Sequence, residues 1–219
     1  MMKNACKLIL FSILFSGLLG SFTTITHNPG LVEIEWADSL EGDFSFSNKW
    51  NYRDGIYRNQ FGQLSCDGLC PERVHSMKDE KGKIPDDSLK IFYQLLDTTY
   101  QYHTLECDAI CYEFLNAHYI EIKRLGKDSF VCRTETNIAT HSQLILNITK
   151  DYCLAQIELN SINSSKRNIL YECTGGHIKI VKEKWKNGMM KAEFNFQFFD
   201  PANPDKPLFW KGKIYKSID

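Results

Sequence analysis

Hydrophobic and polar residues alternate along most of this chain with a period of two, the pattern of a strand that buries one face and wets the other. Val32, Ile34 and Trp36 alternate with Glu33 and Glu35, and Phe44, Phe46, Trp50 and Tyr52 repeat the rhythm. After Thr98 the pattern is strand-like throughout. Tyr119 to Leu125 and Ser129 to Thr136 flank Gly126-Lys127-Asp128, a hairpin signal. Leu144, Leu146 and Ile148 alternate, and Cys153, Ala155, Ile157 and Leu159 do so after a turn near Lys150-Asp151. A polar loop over 160–168 precedes Ile169 to Cys173 and Ile178 to Val181, which Gly175-Gly176 separates. Asn187-Gly188 opens the strongest alternation, with Met190, Ala192, Phe194, Phe196 and Phe198 on one face, and Leu208, Trp210, Gly212 and Ile214 close the chain. This predicts a mainly β fold, an antiparallel barrel or sandwich of about nine or ten strands with one short helix.

Two segments interrupt the alternation. Residues 54–87 are polar and punctuated by Gly55, Gly62, Gly68, Pro71, Gly82 and Pro85, which predicts a long loop of the kind that is functional or cross-linked. Behind them Leu89, Phe92, Tyr93 and Leu96 fall at i, i+3, i+4 and i+7, with Asp86, Asp87 and Ser88 as N-cap candidates. That stripe predicts a helix covering an edge or end of the sheet.

The N-terminus has the build of a signal peptide over residues 1–21: Lys3 and Lys7, then an apolar run from Leu8 to Leu19, then Gly20 and Ser21. The run is shorter than the ~20 residues a membrane helix needs. The expected organisation is therefore a removed signal, a flexible leader over 22–30, and one β-rich domain over 31–219. The expected location is secreted or periplasmic, with no membrane association after signal removal. Loss of Lys3 and Lys7 from 26 basic residues leaves 24 against 27 acidic ones. That balance gives no electrostatic case for nucleic acid. The longest basic cluster, Lys179 to Lys186, is broken by Glu183 and apolar residues and reads as a solvated strand and turn.

Of eight cysteines, Cys6 lies in the signal and seven follow: Cys66, Cys70, Cys107, Cys111, Cys132, Cys153 and Cys173. An oxidising compartment makes disulfides their default, and an odd number leaves at least one thiol over. Cys66, Cys70, Cys107, Cys111, Cys132 and Cys173 are the disulfide candidates. On a strand, Cys107 and Cys111 would stand ~13 Å apart on one face, beyond the ~7 Å Cα limit for a bridge. Cys66 and Cys70 bracket Asp67-Gly68 and could close on each other; the favoured expectation ties their loop to the Cys107/Cys111 segment. Cys153, on the face of Ala155, Ile157 and Leu159, is the expected buried free thiol. The alternative reading uses Cys66, Cys70, Cys107 and Cys111 as a four-thiolate zinc site or as redox thiols.

Other chemistry is thin. His75, His103, His118, His141 and His177 are scattered, with no His-x-x-x-His or His-x-His pair. Asp86-Asp87 and Asp38/Glu41/Asp43 could pair as glycosidase carboxylates, but capping and solvation explain them as well. No nucleophile elbow, P-loop or dinucleotide fingerprint occurs. Asn147-Ile148-Thr149 and Asn163-Ser164-Ser165 match the glycosylation sequon. No cofactor is expected, and enzymatic activity is not favoured.

Gly176-His177-Ile178-Lys179-Ile180, Ala192-Glu193-Phe194-Asn195-Phe196 and Trp210-Lys211-Gly212-Lys213-Ile214 resemble the closing meander of lipocalin-like secreted bacterial domains. That resemblance implies an antiparallel barrel binding a small apolar molecule. Trp50, Tyr52, Phe194, Phe196 and Trp210 are the candidate lining residues, and Tyr57 and Phe61 could extend the mouth. The expected function is a non-enzymatic binding domain whose partner is a small molecule or a protein.

Overall fold

The protein is described from a computed structural model covering residues 30–52, 55–67, 70–137, 139–162 and 168–218. The signal peptide, most of the leader, Gly68 and Asn163 lie outside the described residues. In chain order the elements begin with β1 (Leu31–Ala37), β2 (Trp50–Tyr52), β3 (Ile56–Arg58), β4 (Leu64–Cys66), α1 (Glu72–His75), α2 (Leu89–Leu95) and β5 (Tyr100–Tyr102). They continue with β6 (Leu105–Ile110), β7 (Ile120–Gly126), β8 (Ser129–Thr134), β9 (Ser142–Ile148) and β10 (Tyr152–Leu159). The last are β11 (Ile169–Val181), α3 (Lys182–Lys186), β12 (Met189–Phe198) and β13 (Leu208–Ser217).

Nine strands form one sheet in the order β6-β13-β12-β11-β1-β10-β9-β8-β7. The alternation seen in sequence is the alternation of burial: along β12 Met190, Ala192, Phe194, Phe196 and Phe198 point inward. The pairings are antiparallel except one. β10 and β11 leave their turn as a hairpin, from Leu159↔Ile169 to Gln156↔Glu172, and then part. β1 enters the fork, antiparallel to β10 through Val32↔Cys153 and parallel to β11 through Ile34↔Ile178. A bulge between Cys173 and Gly175 accompanies the parting. Gly176 makes the bend possible: its φ is +137°, and a Cβ there would lie 2.1 Å from the Asn195 carbonyl oxygen. The two expected strands on either side of Gly175-Gly176 are thus one continuous strand.

The sheet curls until its edge strands meet at one corner, where the N–H groups of Thr104 and Leu105 both donate to the His118 carbonyl at 2.9 Å. No ladder joins β6 to β7 beyond that corner among the described residues, so the sheet is not a closed barrel. Its concave side encloses the main core, in which Trp210, Phe196, Leu144, Leu146, Ile148, Ile157 and Leu159 are almost fully buried. The connection 111–119 lies against this core, with the Phe114 ring 4.6 Å from Trp210. The basic cluster ends in the one-turn α3 rather than a bare turn, because Trp185 packs on Trp36 and Phe130 at 5.7 and 4.8 Å.

The described residues of the long loop expected over 54–87 are structured, and with the helix behind them they pack together. Cys66, Val74, Ile84, Phe92 and Leu96 form a second, small core separate from the main one. Gln63 stitches it together: its side-chain amide donates to the Ile84 carbonyl at 2.8 Å and accepts from the Ile84 N–H at 3.0 Å, much as a strand neighbour would. α2 buries Phe92 here instead of covering the sheet, and the Tyr93 hydroxyl accepts from the Leu64 N–H. Ser88 occupies the N-cap without a side-chain bond.

Candidate functional site

The ends of this insert are clipped by a two-stranded ribbon, β2 against β5, in the register Trp50↔Tyr102, Asn51↔Gln101 and Tyr52↔Tyr100. Trp-Asn-Tyr faces Tyr-Gln-Tyr, so every aromatic residue of both strands falls on one side. The rings touch in series: Trp50 lies 5.2 Å from Tyr52 and 5.0 Å from Tyr100, and Tyr100 lies 5.9 Å from Tyr102. Unlike the same alternation in β12, this one faces water. Trp50 is 44% exposed, and Tyr100 and Tyr102 are each 54% exposed. Tyr57, Phe61, Ile91 and Leu95 on the insert are also exposed. Most large aromatic side chains fill cores, and a contiguous exposed group marks an interaction surface.

The ribbon joins the curled sheet at a histidine pair. Directly after Tyr102, the His103 N–H donates to the Lys49 carbonyl at 2.9 Å, closing the root of the ribbon. The His103 ring stacks on His118 with centroids 4.3 Å apart and planes 9° apart, and Tyr119 meets it edge-on. His103 is buried, and its Nε2 has no hydrogen-bond partner. On His118, Nε2 pairs with the Asn116 amide at 2.8 Å, while its backbone N–H donates to Glu135 Oε1 at 2.6 Å. Burial, then His118 and Lys49, hold the His103 pKa below the ordinary histidine value. Burial and Lys49 do the same to His118. These two histidines stand fifteen positions apart in the chain and only the curl of the sheet unites them.

The five candidate lining residues are not brought together. Trp50 and Tyr52 lie on the ribbon, whereas Phe194, Phe196 and Trp210 are buried among the side chains of the main core. Sequence reasoning missed Tyr100 and Tyr102, although their Tyr-Gln-Tyr alternation mirrors that of Trp50 and Tyr52.

The cysteines also separate. Cys66 and Cys70 are bonded to each other with Cα atoms 5.9 Å apart, so the insert is stapled to itself and not to Cys107 or Cys111. Cys107, Cys111, Cys132, Cys153 and Cys173 are free thiols, so Cys132 and Cys173 join Cys153 as buried unpaired cysteines. Cys107 and Cys111 pack against the main core, apart from the small core that holds Cys66. The four thiols of the zinc alternative therefore do not converge, and no group of three or more His, Cys, Asp or Glu among the described residues is placed to hold a metal. Burial pushes Cys107 up to about 11 and Cys111 and Cys132 up to about 12. Thiols so shifted carry little thiolate, the reactive form, near neutral pH.

The carboxylates are ordinary. Asp43 accepts from the Ser45 N–H and hydroxyl at 2.7 and 2.8 Å, and Asp38, Glu41, Asp86 and Asp87 are exposed. His75 and His177 are exposed as well. No helix among the described residues is long and apolar enough to cross a membrane. Compared with known proteins, the chain matches no family model, no curated protein and no solved structure.

Proposed function

We propose that this chain is a non-enzymatic binding domain acting outside the cytosol, and that its ligand docks on the aromatic face of the ribbon rather than inside the sheet. One observation carries the reading: Trp50, Tyr100 and Tyr102 are about half exposed on one face, in a protein that buries the aromatic residues of β12. The core positions of Phe194, Phe196 and Trp210 support it, since those residues are engaged with one another and their neighbours. The architecture that fits best is an incompletely closed barrel, and the antiparallel β11–β12–β13 meander is read as lipocalin-like. The favoured ligand is a small apolar molecule with a flat face, because flat faces stack on exposed indole and phenol rings.

Titration with the apolar dye 1-anilinonaphthalene-8-sulfonate tests this on the mature protein. Changing Trp50 and Tyr100 to serine removes two stacking rings and is expected to weaken dye binding roughly tenfold, at about 0.5–1.5 kcal/mol per ring. Unchanged affinity in that variant would remove the ribbon from the account.

A further inference from the structure

We propose that the stacked His103–His118 pair is an acid-sensitive latch that holds the root of the aromatic ribbon to the seam between β6 and β7 and releases both when a ring takes up a proton. The proposal rests on the joint's own geometry and holds whether or not the ribbon binds a ligand.

Three structural features converge there. The parallel rings lie 4.3 Å apart, so a proton on each would put two cations face to face. His103 is 8% exposed and its Nε2 meets no acceptor, so a proton there is neither solvated nor paired. At His118, Nε2 is paired with the Asn116 amide, so a change of protonation at that nitrogen changes which atom of the amide it can bond.

Charges of both signs face the pair. Lys49, on the segment leading into β2, adds positive charge to both rings. Glu135, following β8, directs Oε1 to the backbone N–H of His118. Tyr119, at the entry to β7, presents a ring edge to His103 and gives its hydroxyl to the Gln101 carbonyl.

The bonds at stake are few and local. His103 N–H to Lys49 O holds the ribbon root, and the Thr104 and Leu105 N–H groups to His118 O hold the seam. The Thr104 hydroxyl also accepts from the Ile120 N–H. Among the described residues no ladder joins β6 to β7 beyond that corner to resist opening there.

The sign follows from linkage. An opened joint returns its histidines to the ordinary value near 6.5, while the closed joint holds them lower. Protons therefore bind the open form preferentially as pH falls below ~6.5, and opening becomes easier in acid. Between pH 7.5 and 5.5 the opening equilibrium rises, by at most about tenfold per ring, a limit reached only by a ring that stays unprotonated when closed.

Hydrogen exchange of the full mature chain, corrected for the intrinsic pH dependence of the rate, reads this directly. The amides of His103, Thr104, Leu105 and Ile120 are expected to exchange faster at pH 5.5 than at 7.5, by up to about tenfold for one ring, with those of β9 and β10 unchanged. In the His103→Phe/His118→Phe variant, which keeps stacked rings without titration, the difference should vanish. An NMR pH titration of both imidazoles in the unmodified protein is the second readout and does not depend on the variant folding. Two independent titrations near 6.5, or seam amides no faster in acid, would overturn the latch.

Discussion

Phe92→Ala tests whether the insert is a separately packed unit carried on the ribbon. Phe92 is fully buried in a small core whose described buried residues are Cys66, Val74, Ile84 and Leu96 besides itself. Truncating a buried phenylalanine costs about 3–5 kcal/mol, from lost transfer energy and the cavity left behind. Five buried side chains contribute about 1.5–3 kcal/mol each before ordering costs, so this loss is large against what the small core holds. None of the residues enclosed by the curled sheet belongs to that cluster. The variant should therefore lose exchange protection and protease resistance across 55–96 while the β8–β9–β10 and β11–β12–β13 amides keep theirs. The Cys66–Cys70 bond constrains only a short segment and does not rescue the packing. Peptide-resolved hydrogen exchange with limited proteolysis is the assay. If protection falls equally in the main sheet, the two cores are one cooperative unit and the reasoning fails.

Gly176→Ala places a Cβ 2.1 Å from the Asn195 carbonyl at φ +137°, and should cost more than about 2 kcal/mol in urea denaturation; a cost under ~0.5 kcal/mol would mean β11 needs no such bend. Cys132, pushed up to about 12 by burial, holds a thiolate fraction on the order of one in ten thousand at pH 8. A colorimetric thiol reagent should accordingly leave Cys132 and Cys153 unlabelled in the native mature protein and count five thiols after unfolding without reductant; fewer than five would reveal further disulfides.

Strands with one buried face were legible because burial and chemistry alternate together, as along Met190 to Phe198. Partner choice was not: nothing in Ile34-Glu35-Trp36 distinguishes the parallel neighbour Ile178-Lys179-Ile180 from an antiparallel one. The insert's core escaped notice because its five buried residues are spread from Cys66 to Leu96 among polar positions with no common period. The aromatic ribbon was half legible. Trp50 and Tyr52 carried the period-two signal, but that signal does not say which side of a strand meets solvent, and the same pattern is buried in β12. The histidine pair had no local signal, since the long-range closure of the sheet creates it.

In the proposed reading the ribbon, and not the interior of the sheet, is the binding face. Two-dimensional NMR of the tryptophan indole N–H groups during titration with 1-anilinonaphthalene-8-sulfonate tests it most directly, because Trp50 lies on the ribbon and Trp210 is completely buried in the core. The Trp50 indole resonance is expected to move with saturation while that of Trp210 stays fixed. Movement of Trp210 with Trp50 unaffected would place the ligand inside the sheet and contradict it.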